Sequence, residues 1–220
     1  SALHLACIAI GLKSGDFLWT SAISFVASSN CGLYCGAKID LLDIDSNTFN
    51  ISVKNLEKKL KEAKKKNCLP KVIVVVHFAG NPCDMKTLHF FSKKYNFKII
   101  EDASHASGSY YRKEIIGNCK YSDVCVFSLH PVKIFTAGEG GVLLTNNKEI
   151  NRKVKILRSH GIEKNPKKFV NKNKSGWYYE QQLLGLNYRM TDIQAALGNS
   201  QLKKVDLFIH ERNKIIKFYK

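Results

Sequence analysis

The chain has 220 residues, 45% hydrophobic and 24% charged, the proportions of an ordinary globular domain long enough to bury a sizeable core. No apolar run approaches the about 20 residues that a bilayer span needs, and the opening Ser-Ala-Leu-His-Leu-Ala lacks the basic segment of a signal peptide. The net charge of +17 does not argue for nucleic acid: the only arginines, Arg112, Arg152, Arg158, Arg189 and Arg212, are scattered, and the lysines run along helix faces, as at Lys58, Lys59, Lys61, Lys64, Lys65 and Lys66.

Strand and helix patterns alternate along the chain. Residues 16–20 are predicted as a short strand, 23–34 as a helix and 37–42 as a strand. Val53, Leu56, Leu60 and Ala63 keep helical spacing, with lysines on the opposite face. The segment KVIVVVHF over 71–78 is a continuous β-branched run, suited to a strand buried on both faces of a parallel sheet. A helix over 85–95 precedes a buried strand over 97–100 that ends at Glu101-Asp102. Strands over 124–128 and 141–145 and helices over 148–159 and 191–219 complete the pattern, with Thr191 as the cap of the last helix.

This alternation predicts an α/β domain with a mainly parallel sheet and helices on both faces. Between Gly161 and Gly185 runs a polar loop with Trp177, Tyr178 and Tyr179, longer than a simple connection requires. Both ends of the chain fall inside helical patterns, so it reads as part of a larger protein. Cys7, Cys31, Cys35, Cys68, Cys83, Cys119 and Cys125 include no CxxC pair, and no ligand set at zinc spacing is found. They read as reduced thiols of a cytoplasmic protein, and no metal is expected.

Ligands of open α/β sheets gather at the carboxyl ends of the strands. Three features fall at such ends: His77 after VIVVV, Asp102 after FKII, and Ser128, His130 and Lys133 after VCVF. Singly, Asp102 is explained as a helix cap and Lys133 as a surface charge. The segment from Ser128 to Gly141 (SLHPVKIFTAGEGG) resists that reading, because it sets a lysine just past a buried strand and ahead of a glycine-rich turn. The turn is no P-loop, since it lacks the GxxxxGK[ST] order and leads into a strand.

At EDASHASGS (101–109), SLHPVKIFTAGEGG (128–141), RSHGI (158–162) and LGLNYRMTDIQAALG (184–198) the sequence resembles the DegT/StrS-type nucleotide-sugar aminotransferases. Weaker matches are SALHLA (1–6), ISFVASSN (23–30) and HFAGNPCDM (77–85), all in the family's order. The resemblance implies a pyridoxal-phosphate (PLP) enzyme with the large domain of the aspartate-aminotransferase fold (PLP fold type I). Residues 1–220 would then be the PLP-binding large domain, without an N-terminal segment and the C-terminal small domain.

It also implies roles. Lys133 resembles the lysine that carries PLP as a Schiff base, and Asp102 the carboxylate that keeps the pyridine nitrogen protonated. His105 matches the family's Gln/His position near the PLP hydroxyl, and Phe25 the aromatic that stacks on the ring; a core role is the alternative for both. Ser128 is similar to a phosphate ligand. Ser1 and Ala2 match the start of the first helix, where free N–H groups suit a phosphate, although the family's threonine there is absent. Asn187 matches a residue that reaches the phosphate of a neighbouring subunit, which implies a homodimer.

Lysine at 133, where dehydrating members carry histidine, favours amino transfer. Within the family HFAGNPCDM, HPVKIFTAGEGG and RSHGI most resemble the enzymes of pseudaminic-acid biosynthesis. That implies L-glutamate as donor and a UDP-linked 4-keto-6-deoxy-N-acetyl-hexosamine as acceptor, with perosamine-type and 3-keto-sugar enzymes as alternatives. A non-catalytic homologue and a basic nucleic-acid-binding domain are the other classes considered. The first leaves Lys133, Asp102 and Ser128 together without a purpose, and the second needs clustered arginine that is missing.

Overall fold

The β-branched run becomes the centre of a six-stranded sheet. In the computed structural model, which describes residues 1–172 and 175–219, β1 (Phe17–Ser21), β2 (Lys38–Leu42), β3 (Val72–Val76) and β4 (Lys98–Asp102) lie parallel. Two-residue strands β5 (Tyr110–Tyr111) and β6 (Glu114–Ile115) make a separate hairpin. β7 (Val124–Ser128) continues the parallel ladder beside β4, and β8 (Gly141–Leu144) closes the edge antiparallel to β7. The order is β2-β1-β3-β4-β7-β8. Val72, Ile73, Val74 and Val75 are fully buried, because helices cover both faces.

One face packs against α1 (Ala2–Ile10), α2 (Ala27–Leu33) and α5 (Lys148–Leu157), where Leu5, Ala6, Cys7 and Leu157 meet Val72, Val74 and Ile100. The other packs against α3 (Val53–Lys65) and α4 (Met85–Tyr95) through Leu56, Leu60, Met85 and Leu88. Each fully buried leucine there contributes about 2 kcal/mol from surface removed from water. Lys54, Lys58, Lys61, Lys64 and Lys65 of α3 stay in solvent, as the helical spacing predicts, while Lys59 turns to Asp40. Ser52 caps α3 by accepting from the Asn55 amide, and Asp84 caps α4 through Thr87.

Two expectations change. The helix predicted over 23–34 forms only from Ala27, because the Ser24 hydroxyl bonds the Phe25 carbonyl and the Ser28 hydroxyl and holds the entry as a bend. The helix predicted over 191–219 divides into α6 (Asp192–Leu202) and α7 (Val205–Tyr219). A four-residue turn from the Lys204 amide to the Gln201 carbonyl tightens the chain at the break. Thr191 does cap α6, in a capping box with Gln194.

The polar loop is partly structured: β9 (Ile162–Glu163) pairs antiparallel with β10 (Glu180–Gln181), and the Glu180 carboxylate accepts from the Val170 and Asn171 amides. Asn173 and Lys174 of that loop, and Lys220 at the end of the predicted domain, lie outside the described residues. Among the described residues no helix is long and apolar enough to cross a membrane.

Candidate active site

The register of the parallel ladder brings the predicted residues together. Val76 stands opposite Asp102 and Asp102 opposite Val126, so β3, β4 and β7 deliver their carboxyl ends to one edge. Asp102 is buried there. The Ser28 hydroxyl, from the start of α2, donates to Oδ2 at 2.8 Å. The Ser104 amide and hydroxyl donate to Oδ1 at 3.2 and 2.5 Å. Three donors and no acceptor suit a carboxylate, whose two oxygens accept and have no proton of their own to place. Ser24 extends the chain, 2.7 Å from the Ser28 hydroxyl.

After β4 the chain turns through Ser104 to His105, whose Nε2 lies 2.9 Å from Lys133 Nζ. His105 sits below the ordinary histidine range, first because partial burial disfavours the charged ring and second because Lys133 repels another cation. A neutral ring with its proton on Nδ1 accepts from Nζ. Lys133 and His105 thus meet directly, Asp102 acts on the His105 charge from the end of β4, and His105 is on the exposed side of the turn.

Lys133 itself is held by its loop. Its amide bonds the His130 carbonyl, and Thr136 ties the loop through its hydroxyl to the Leu129 carbonyl at 2.8 Å. From α7, Arg212 reaches the Lys133 carbonyl at 3.4 Å.

Ser128 ends β7 paired with Gly141. A Cβ on Gly141 would stand 3.3 Å from the Ala2 Cβ, so the first turn of α1 lies against this end of the sheet. Ser1 precedes α1 without a side-chain cap, leaving the first-turn amides available to an anion. Phe25 is 78% exposed, and it sits between Ser24 and Ser28 on the segment fastened to Asp102. Asn187 is exposed and bridged to Ser159; among the described residues no hydrogen bond links it to the Lys133 set.

His77 takes a different place from Asp102 and Ser128. It is buried on the other side of the strand end, with Nε2 2.8 Å from Glu101 Oε2 and Nδ1 accepting from the Cys83 amide at 3.2 Å. The ring proton therefore sits on Nε2 and is shared with Glu101, which also accepts from Ser122. The His77 amide bonds the Asp102 carbonyl at 3.2 Å, so this residue clamps the backbone that presents Asp102.

Sequence reasoning missed Ser28, Ser104 and Arg212. Ser104 carried a signal, since serine two residues after aspartate is a local side-chain-to-backbone turn pattern. Ser28 carried none, being 74 positions from its partner.

The profile described as the DegT/DnrJ/EryC1/StrS aminotransferase family matches residues 1–220. The chain belongs to this family. Over 219 residues it is 42% identical to the UDP-4-amino-4,6-dideoxy-N-acetyl-beta-L-altrosamine transaminase of Campylobacter jejuni subsp. jejuni serotype O:23/36, covering 100% of this chain and 54% of that protein. Its structure resembles that of Helicobacter pylori PseC, an aminotransferase involved in the biosynthesis of pseudoaminic acid, with a TM-score of 0.79 and 33% identity over 94% of this chain and 52% of the other. It also resembles the PLP form of Spr1654 of Streptococcus pneumoniae, with a TM-score of 0.82 and 27% identity over 99% and 56% of the two chains. The chain spans about half the length of the curated relatives it matches. This DegT/DnrJ/EryC1/StrS protein therefore has the aminotransferase fold expected from its motifs, with a mostly parallel sheet and helices on both faces.

Proposed function

We propose that the protein transfers an amino group from L-glutamate to the 4-keto group of a UDP-linked 6-deoxy-N-acetyl-hexosamine, with PLP held at Lys133. The observation that carries this reading is the Lys133–His105 contact beside Asp102, at the carboxyl ends of β4 and β7. The donor set fits the cofactor group by group. Lys133 Nζ would bind its aldehyde carbon, and the Asp102 carboxylate would hold the proton of its ring nitrogen. Ser128 and the first amides of α1 would hold its phosphate, and Phe25 would cover its ring. Bound PLP supplies an electron sink for the pair left when a proton leaves the carbon bearing nitrogen.

The chain's own residues do the rest. Ser28 and Ser104 donate to the two Asp102 oxygens and hold the carboxyl group in place, where it would hold the proton on the ring nitrogen. Lys133, once free, carries a proton at Nζ between the two carbons that exchange it. His105, neutral beside Nζ, accepts a hydrogen bond there and keeps the amine in place. The substrate assignment rests on the 42% identity to the altrosamine transaminase. Residues 1–220 serve in this reading as the PLP-binding large domain of a longer cytoplasmic homodimer, in which Asn187 serves the second copy's site.

The test uses full-length protein mixed with PLP. A yellow absorbance band is expected that shifts when L-glutamate is added and is missing in Lys133→Ala. A wild type left colourless after dialysis refutes the assignment. Product analysis with UDP-linked and GDP-linked 4-keto sugars then decides the nucleotide.

A further inference from the structure

The charge of the chain is unevenly placed. The 13 residues of α3 and the 11 of α4 hold nine lysines and two glutamates, so they carry seven of its 17 net positive charges. Both helices lie side by side on the same face of the sheet. Lys61, Lys64 and Lys65 of α3 and Lys94 of α4 line one open groove of about 520 Å³, together with Tyr95. Glu57 pairs with Lys61 at 2.7 Å, and Lys59 turns away to Asp40. Among the described residues Lys58, Lys64, Lys65, Lys93 and Lys94 form no ion pair, although all five are exposed. The lysines at the neighbouring strand starts do: Lys71 holds Asp16 and Lys98 holds Asp123, each at 2.9 Å.

An aromatic ring stands in this field. Phe90 is 58% exposed, and among the described residues it is the only exposed large hydrophobic side chain of the two helices. The Lys94 ammonium lies 5.7 Å from its centroid and 5.6 Å from that of Tyr95, so ring and groove are one surface. Lys86 and Lys93 stand four and three positions from Phe90 and share its side of α4. α3 ends before β3 begins and α4 before β4, which puts the groove at the amino ends of the strands. That edge is opposite the one holding Asp102 and Lys133, so a surface bound there leaves the candidate site open.

We infer that the α3–α4 face docks on an anionic lipid bilayer, with its lysines on the headgroups and Phe90 in the interface. Lysine ammoniums are compact charges on flexible stems, which suits a fluid layer of negative headgroups that offers no fixed geometry. Reading of nucleic-acid bases favours the planar fork of arginine, and neither helix has one. A protein partner would need an apolar centre larger than a single ring. One exposed ring among lysines is instead the make-up of a helix face that lies in a membrane surface. The docking does not depend on the PLP reading.

Full-length protein is sedimented with vesicles of phosphatidylcholine alone and of phosphatidylcholine mixed equally with phosphatidylglycerol. Binding is expected to the anionic vesicles only. It should disappear between about 0.15 M and about 1 M salt, as the screening length falls from about 8 Å to about 3 Å. Each lysine near such a surface strengthens binding about fivefold, so Lys64→Gln, Lys65→Gln and Lys94→Gln together should weaken it about 100-fold. The same charge change placed elsewhere, as Lys148→Gln, Lys155→Gln and Lys203→Gln, should shift it by no more than about threefold. Phe90→Ala should weaken it about tenfold with the charge unchanged.

Equal binding to both kinds of vesicle, or binding to neither, overturns the proposal. So do equal losses in the two triple variants, because net charge alone then explains them. A Phe90→Ala protein that binds like the wild type overturns the insertion of the ring. Displacement from the vesicles by single-stranded RNA at equal phosphate concentration gives the face to nucleic acid and overturns the bilayer.

Discussion

Replacing Ser28 by alanine removes the hydroxyl that serves Asp102 Oδ2 and leaves that oxygen without a donor, since Ser104 serves Oδ1. Ser28 is 0% and Asp102 6% exposed, so water has little access to replace it. A hydrogen bond to a charged group contributes about 1.5–3 kcal/mol, against about 0.5–1.5 for a neutral pair. Ser28→Ala should therefore cost about 2 kcal/mol with aspartate at 102 and about 1 kcal/mol in an Asp102→Asn background, a coupling of about 1 kcal/mol.

With a urea slope of about 2 kcal/mol per molar, the midpoint falls by about 1 M in the first case and about 0.5 M in the second. Equilibrium urea unfolding of the four proteins, followed by far-ultraviolet circular dichroism, measures all three differences. Equal midpoint shifts in the two backgrounds would show that Ser28 packs beside Asp102 without supporting its charge, and the argument for an anion at Asp102 would fall.

His77→Ala leaves Glu101 buried with Ser122 but without its ring partner and should cost about 2–3 kcal/mol, the worth of a buried hydrogen bond to a charged group; a urea midpoint near wild type would refute the clamp at the end of β3 and β4. Gly161 has φ +73°, and a Cβ there would lie 1.8 Å from the Leu183 carbonyl oxygen. Gly161→Ala adds that clash to left-handed strain of about 1–3 kcal/mol, so thermal unfolding should drop by well over what strain alone gives. An unchanged melting temperature would contradict the close packing of RSHGI against LGLNYRM.

Composition and pattern determined the α/β class, because a β-branched run such as VIVVV tolerates burial on both faces, while Leu56, Leu60 and Ala63 mark a helix with one buried side. Both are properties of neighbours in the chain. Lys133 and Asp102 were legible for a similar reason: each follows a buried strand, and strand ends are where an open sheet binds ligands.

Contacts across the chain were not legible. Lys133 meets His105 28 positions away, and Asp102 meets Ser28 74 positions away, through a parallel ladder whose register no local pattern encodes. The sequence likewise carried no sign that His77, at a strand end like Asp102, would turn to Glu101 in the core. Neither did it show that Cys7, Cys31 and Cys35 would share one apolar cluster where α1 packs on α2. Alternation along a strand assigns faces, but only the assembled layers decide which face meets the cleft and which meets the core.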